Sequence, residues 1–210
     1  MIEALSVEIP SIFYPFLLLW ASLWLGTKIL FPKKIDHFDN GYLMTFNVVV
    51  GMTIATFSLY FDDEETLSES TTIAWFAAFF IIDLVDCINR RDIVFAIHAI
   101  LTLGLCRINL IPKYYSLRMG SQGSFLELST PFLWRWKKTK AKTDFKIFGV
   151  IFFFCRLVWV PVFMTRAMKL IEVDDLILYF TGVFYLLQLA FFFKIVLILS
   201  SYKEKKGKEE

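Results

Sequence analysis

Asp83, Asp86, His98, Glu127 and Arg156 are ionisable groups that fall inside or against long apolar runs of this 210-residue chain. A charge in hydrocarbon is expensive, so such groups turn inward, pair with one another or line a hydrated path. His98 offers the most chemistry. An imidazole changes charge near neutral pH and can act as base, acid or hydrogen-bond partner for a polar lipid atom. On a helix it shares a face with Thr102, with Cys106 and Asn109 farther along. The plainer reading is a neutral core histidine bonded between two helices. Spacings of three and four set Asp83, Asp86, Cys87 and Arg90 along one side of a helix. Asp86 and Arg90 can neutralise one another at a membrane boundary, whereas Asp83 lies one turn deeper and needs either a function or a structural partner. The candidate catalytic residues are therefore His98 and Asp83, the carboxylate orienting or tuning the imidazole.

The stretch GSFLELSTPFLWRW, Gly123 to Trp136, adds a second polar set. If it lies within the membrane, Glu127 must face the bundle interior or a hydrated cavity. Pro131 removes the helical hydrogen bond to the Glu127 carbonyl, and Ser129 and Thr130 can satisfy freed backbone groups. The segment then reads as a kinked, inward-facing element; the rival is a re-entrant or interfacial helix whose Glu127 caps or reaches water. Arg156, within Ile147 to Pro161, must snorkel, pair or line a cavity, and Glu127 is a plausible partner. Asn47, Thr53, Thr56, Trp134, Trp159 and Gln188 are weaker signals, read first as packing, interhelical bonds or interfacial anchors. His37 sits in a charged loop and reads as solvent-facing. Two distant histidines and three scattered cysteines make no metal site, and no phosphate loop, nucleophile elbow or dinucleotide fingerprint is present, so no cofactor is expected.

The elements that must position these residues are transmembrane helices. Hydrophobic residues make up 57% of the chain, 24 of them Phe, more apolar surface than a soluble domain of this size can bury. The fold class is all-α: a polytopic bundle. Clear spans are Ser11 to Phe31, Gly41 to Phe61, Thr72 to Cys87, Ile93 to Ile111 and Phe145 to Thr165, with a sixth from Leu176 to Ser200. Whether Gly120 to Trp134 is a seventh is decided by charge. Seven crossings gather Lys28, Lys33, Lys34, Arg90, Arg91, the Arg135 to Lys146 cluster and the Lys203 to Lys208 tail on one side. They leave Arg107, Lys113, Arg118, Arg166, Lys169 and the acidic Asp62 to Glu65 loop on the other. Six crossings largely erase that bias. About seven spans, with a lumenal or external N-terminus and a cytosolic C-terminus, follow.

The first run, with Glu3 and Glu8 before it and Lys and Pro after, reads as a retained anchor (1–34) rather than a cleaved signal. Residues 35–200 form the main membrane domain and 201–210 a basic tail. Cys87, Cys106 and Cys155 lie in or beside apolar runs and read as buried thiols. A net charge of +2 gives no reason to expect nucleic acid.

Taken together, FIIDLVDCINRRDIVFAIHAILTL, ELSTPFLW and FFFCRLVWVPVF resemble the TLC domain of translocating-chain-associated proteins, ceramide synthases and the related ceroid-lipofuscinosis protein. The likeness runs from about Phe38 to Leu199. It rests on a membrane aspartate, a D-x-x-F-x-x-H stretch, a glutamate before S-T-P and an R-x-x-x-x-P span, in that order. The resemblance implies a six-helix barrel around a membrane cavity, preceded here by one extra helix, and roles in lipid synthesis, sensing or transport. It points to Asp83, His98, Glu127, Arg156 and Pro161 as residues that line or shape the cavity. Ceramide synthases use neighbouring histidines, and here Ala99 follows His98. The expected function is therefore lipid binding in membrane lipid homeostasis, with membrane lipids as partners. An acyl-CoA-dependent acyltransferase is the alternative, with acyl-CoA as a further partner, and an assembly or cargo adaptor the third. A homodimer is compatible with any of these. Lys206 and Lys208 resemble a K-x-K-x-x retrieval signal of the endoplasmic reticulum, against the rival of an ordinary solvated tail.

Overall fold

The computed structural model describes residues 8–30, 42–60 and 68–206, without the side chains of 202–206, and every regular element in it is helical. The expectations for His37, for Asp62 to Glu65 and for the tail lysines fall outside those residues or side chains. The first four helices are α1 (Phe13–Leu30), α2 (Tyr42–Tyr60), α3 (Glu69–Arg90) and α4 (Ile93–Ile108). A short helix, α5 (Pro112–Tyr115), then leads to α6 (Met119–Ser124), a 3-10 stretch (Phe125–Ser129) and α7 (Thr130–Thr139). Next come α8 (Lys142–Phe152), a π-helical stretch (Phe153–Val158), α9 (Trp159–Leu170) and the long α10 (Asp175–Lys206). Five helices are long and apolar enough to cross a membrane: α1, α2, α3, the continuous run Lys142–Leu170, and Asp175–Ser201 of α10. The apolar α4 has 16 residues and spans about 24 Å.

The expected boundaries shift where local chemistry sets them. The third span extends to Glu69 and Arg90, and the fourth stops at Ile108 rather than Ile111. Arg91, in the left-handed region at φ 60°, ends α3, and the Asp92 carboxylate starts α4 by accepting the Phe95 N–H at 3.3 Å. Gly120 to Trp134 is not one short helix but parts of three pieces. That stretch runs from Glu69, where the Gly120 N–H meets the carboxylate, to the other end of the bundle, where Lys138 Nζ lies 4.1 Å from the Tyr42 ring centre.

Packing follows the aromatic content. α1 lies against α3, where buried Trp20 meets Trp75 and Phe79 edge-on at 5.2 and 5.0 Å. Asp86 fastens the far end of this contact: it accepts from Trp24 Nε1 at 2.9 Å and lies 3.4 Å from Lys28 and 2.8 Å from Arg90. Around the rest of the bundle α2 packs on α3, α3 on α4, α4 on α10, α10 on α8, α8 on α7, and α6 and α7 on α2. Large apolar side chains cover the outside, with Leu18, Leu186 and Phe193 about two-thirds exposed. That surface suits lipid as solvent.

Outside the spans, Lys113 Nζ lies 2.7 Å from Asp174 Oδ2, and the buried Tyr114 hydroxyl donates to the same oxygen at 2.9 Å. Lys113 also donates to the Glu172 carbonyl. This latch ties the α4–α6 connection to the turn before α10. The hydrogen bond to Asp174 holds Lys113 above the ordinary lysine range, and the same bond holds Asp174 below the ordinary carboxylate range.

Candidate functional site

Two prolines and a buried arginine shape the centre of the bundle. Pro131 cannot donate to the Glu127 carbonyl, and the Thr130 N–H takes its place in the 3-10 stretch. Pro161 cannot donate to the Leu157 carbonyl in the following pass, and Tyr185 Oη fills that role at 3.1 Å. Arg156, 6% exposed, belongs to the π-helical stretch before Pro161 and reaches across to the 3-10 stretch. Its Nε donates to the Leu126 carbonyl at 2.9 Å and to Ser129 Oγ at 3.1 Å. Its Nη1 donates to Gln188 Oε1 at 3.0 Å, and its Nη2 to Glu127 Oε1 at 3.1 Å. Glu127 Oε2 also accepts the Thr130 hydroxyl at 2.9 Å. Each guanidinium nitrogen has a partner and the charge faces the Glu127 carboxylate, which is the condition under which a buried pair is tolerated. It joins the 3-10 stretch to the π stretch and to α10.

Beside this clamp lies a cavity of about 300 Å³. Asp83, His98, Glu127, Ser129, Thr130 and Arg156 all line it. Aromatic walls come from Phe80, Phe95, Phe148 and Phe191, and Lys137 and Lys194 stand at the end facing the α7–α8 turn. Four of its polar side chains lack a full set of partners among the described residues: Asp83, His98, and Trp134 and Trp136, whose Nε1 atoms are buried with no partner. Among the described residues, Asp83, 4% exposed, has the Cys87 thiol at 3.9 Å as its one hydrogen-bond partner and no ion pair. His98 packs between the rings of Phe80 and Phe184 at 5.9 and 5.4 Å, and its Nδ1 is buried with no partner. No hydrogen bond joins Asp83 to His98, so the expected orientation of one by the other is not formed. Asp86 belongs to the α1 anchor. Pro131 is half-buried and Pro161 exposed, and neither lines the cavity. Both act through the carbonyls they leave free.

A narrower cavity of about 90 Å³ adjoins the first, sharing Phe80 and Glu127 in its lining. It runs between α3, α4, α6 and α10 toward Met119 and Asn109. Its outer end is closed by a cluster that sequence reasoning missed. Glu69, 2% exposed, accepts from Gly120 N at 2.6 Å, from Ser121 N at 3.1 Å and from the Ser121 hydroxyl. Its other neighbour, Ser58 Oγ, accepts from Arg118 Nη1 at 3.1 Å. A Cβ on Gly120 would lie 2.5 Å from Ile73 Cγ1 and 2.8 Å from Glu69 Oε1, so glycine is what lets these two side chains pack against the α6 backbone. The available signal was a glutamate at a helix start opposite a Gly-Ser pair.

Chemically, the two cavities offer an apolar, aromatic lumen in which, among the described residues, the Asp83 carboxyl group is met only by a thiol and His98 Nδ1 and the indole N–H groups of Trp134 and Trp136 have no partner. Comparison of the chain with protein-family models, with curated proteins and with solved structures gives no match.

Proposed function

We propose that the chain is a TLC-like membrane protein that binds a lipid in the central cavity and serves membrane lipid homeostasis, sensing or transport. In this reading, α2, α3, α4, the 119–139 segment, the 142–170 run and α10 form a six-membered barrel. α1 lies outside on α3, and the chain makes seven crossings. The order of helix contacts supports that arrangement, as does the 119–139 segment reaching from one end of the bundle to the other. The orientation, N-terminus lumenal and C-terminus cytosolic in the endoplasmic reticulum, rests on the concentration of lysine and arginine at one end.

The observation that carries lipid binding is the pair Asp83 and His98. Both are buried beside a cavity of about 300 Å³, and among the described residues Asp83 meets only the Cys87 thiol and His98 Nδ1 has no partner. Polar groups left so in an apolar site favour a ligand with a polar atom to meet them. The acyltransferase reading has less support, because a general base needs its proton-accepting nitrogen oriented and His98 lacks the Asp83 hydrogen bond that would do so. The test is native mass spectrometry of the purified protein. A co-purifying lipid is expected on the wild type and at clearly lower occupancy on Asp83→Asn and His98→Leu. Equal occupancy on all three proteins would remove the central cavity as its site.

A further inference from the structure

A cleft of about 450 Å³ lies on the other side of Met119 and Phe163 from the central lumen. Its walls are the end of α2 at Tyr60, the 116–125 stretch and the last three turns of α9. Trp159 Nε1 donates to the Gln122 carbonyl at 2.9 Å, and Gln122 Nε2 donates to the Leu117 carbonyl at 2.8 Å. Those bonds hold the wall open without a ligand.

The charge in this cleft is of one sign. Arg118 and Arg166 line it and no carboxylate does, among the described residues. Arg118 has contacts of its own, including Ser58. Arg166 is exposed and makes no ion pair or side-chain hydrogen bond with any described residue. Depth matters as well. The helical run Lys142–Leu170 has 29 residues, about 44 Å at the helical rise, whereas the hydrocarbon core is about 30 Å thick. Its final turns therefore reach the headgroup layer, and Arg166 stands one turn from the end. Phe125 and Trp159 face the cleft on the side toward the bundle middle, at hydrocarbon depth.

We propose that this cleft binds an anionic phospholipid, its phosphate on Arg166 and a hydrocarbon chain along Phe125 and Trp159. A guanidinium forms charge-assisted hydrogen bonds with phosphate oxygens, and the aromatic wall selects an amphiphile over a soluble anion. The site is separate from the central cavity and does not depend on its occupant.

The experiment is native mass spectrometry of the full-length protein, titrated with phosphatidylglycerol or phosphatidylcholine of the same chains. The wild type should prefer phosphatidylglycerol, and Arg166→Gln should weaken that lipid about fivefold while leaving phosphatidylcholine unchanged. Gly123→Leu, which enters the narrower cavity of about 90 Å³ where a Cβ meets nothing within 4 Å, should leave phosphatidylglycerol affinity at the wild-type value. Millimolar glycerol phosphate should not compete. Equal binding of the two lipids, an unchanged preference in Arg166→Gln, loss of the preference in Gly123→Leu, or full competition by glycerol phosphate would each overturn the proposal.

Discussion

Replacing Arg156 by methionine isolates the clamp at the bundle centre. The substitution keeps most of the side-chain volume and deletes the donors that reach the Leu126 carbonyl, Ser129, Gln188 and Glu127. Glu127, 7% exposed, is left with the Thr130 hydroxyl and a buried, uncompensated charge. Breaking a buried pair from one side costs about 3–5 kcal/mol. Removing both charges together, as Arg156→Met with Glu127→Leu, eliminates that stranded carboxylate, so the double variant should be more stable than Arg156→Met alone despite carrying one more substitution. Glu127→Gln retains an acceptor for Nη2 and loses the charge, a change of about 1.5–3 kcal/mol. Equilibrium unfolding in mixed lipid–detergent micelles, followed by near-ultraviolet circular dichroism, measures all three. A double variant no more stable than Arg156→Met, or additive single effects, would refute the view that the pair is held by mutual neutralisation.

Glu69→Gln should destabilise by about 1.5–3 kcal/mol in the same assay, because the carboxylate serves the Gly120 and Ser121 donors at once; a neutral result would mean that these bonds are readily replaced. Gly120→Val should cost about 1–3 kcal/mol through its clash with Ile73 and Glu69, whereas Gly123→Leu, which enters the narrower cavity, should fold normally. The Lys113–Asp174 latch should be pH-bounded. Asp174 has a depressed folded pKa, so its contribution is present above the ordinary carboxylate range and is lost as pH falls through the depressed value. Lys113 has a raised one, so its contribution is present below the ordinary lysine range and is lost as pH rises through the raised value. Hydrogen exchange in the 109–118 stretch should therefore speed up in Asp174→Asn at pH 7 and converge on the wild type as pH falls through the depressed value; identical exchange at pH 7 would dismiss the latch.

What the sequence made legible was set by cost. Arg156 and Glu127 each sit where hydrocarbon forbids a lone charge, so pairing them needed no knowledge of the fold, and the structure places them 3.1 Å apart. Asp86 and Arg90 were equally readable from helical spacing and lie 2.8 Å apart. The role of Asp86 in holding α1 was not, because Trp24 and Lys28 are more than 50 positions away and α1 carries no pattern naming its partner. Pro131 signalled a break, but the 3-10 turn before it and the π stretch carrying Arg156 follow from how the freed carbonyls are satisfied in three dimensions. Glu69 was hidden because its partners are mainly backbone N–H groups, which have no sequence signature. The family resemblance set Asp83 and His98 near one lumen, yet whether they touch depends on side-chain rotamers that no spacing determines.

The central claim is that the lumen of this bundle is a lipid site, and a density map of the purified protein in nanodiscs tests it most directly. Elongated density is expected in the cavity beside Glu127 and Arg156, its polar end within hydrogen-bonding reach of Asp83 or His98 and its apolar part against Phe80 and Phe148. A lumen filled only by water, or closed by side chains meeting across it, would contradict that claim.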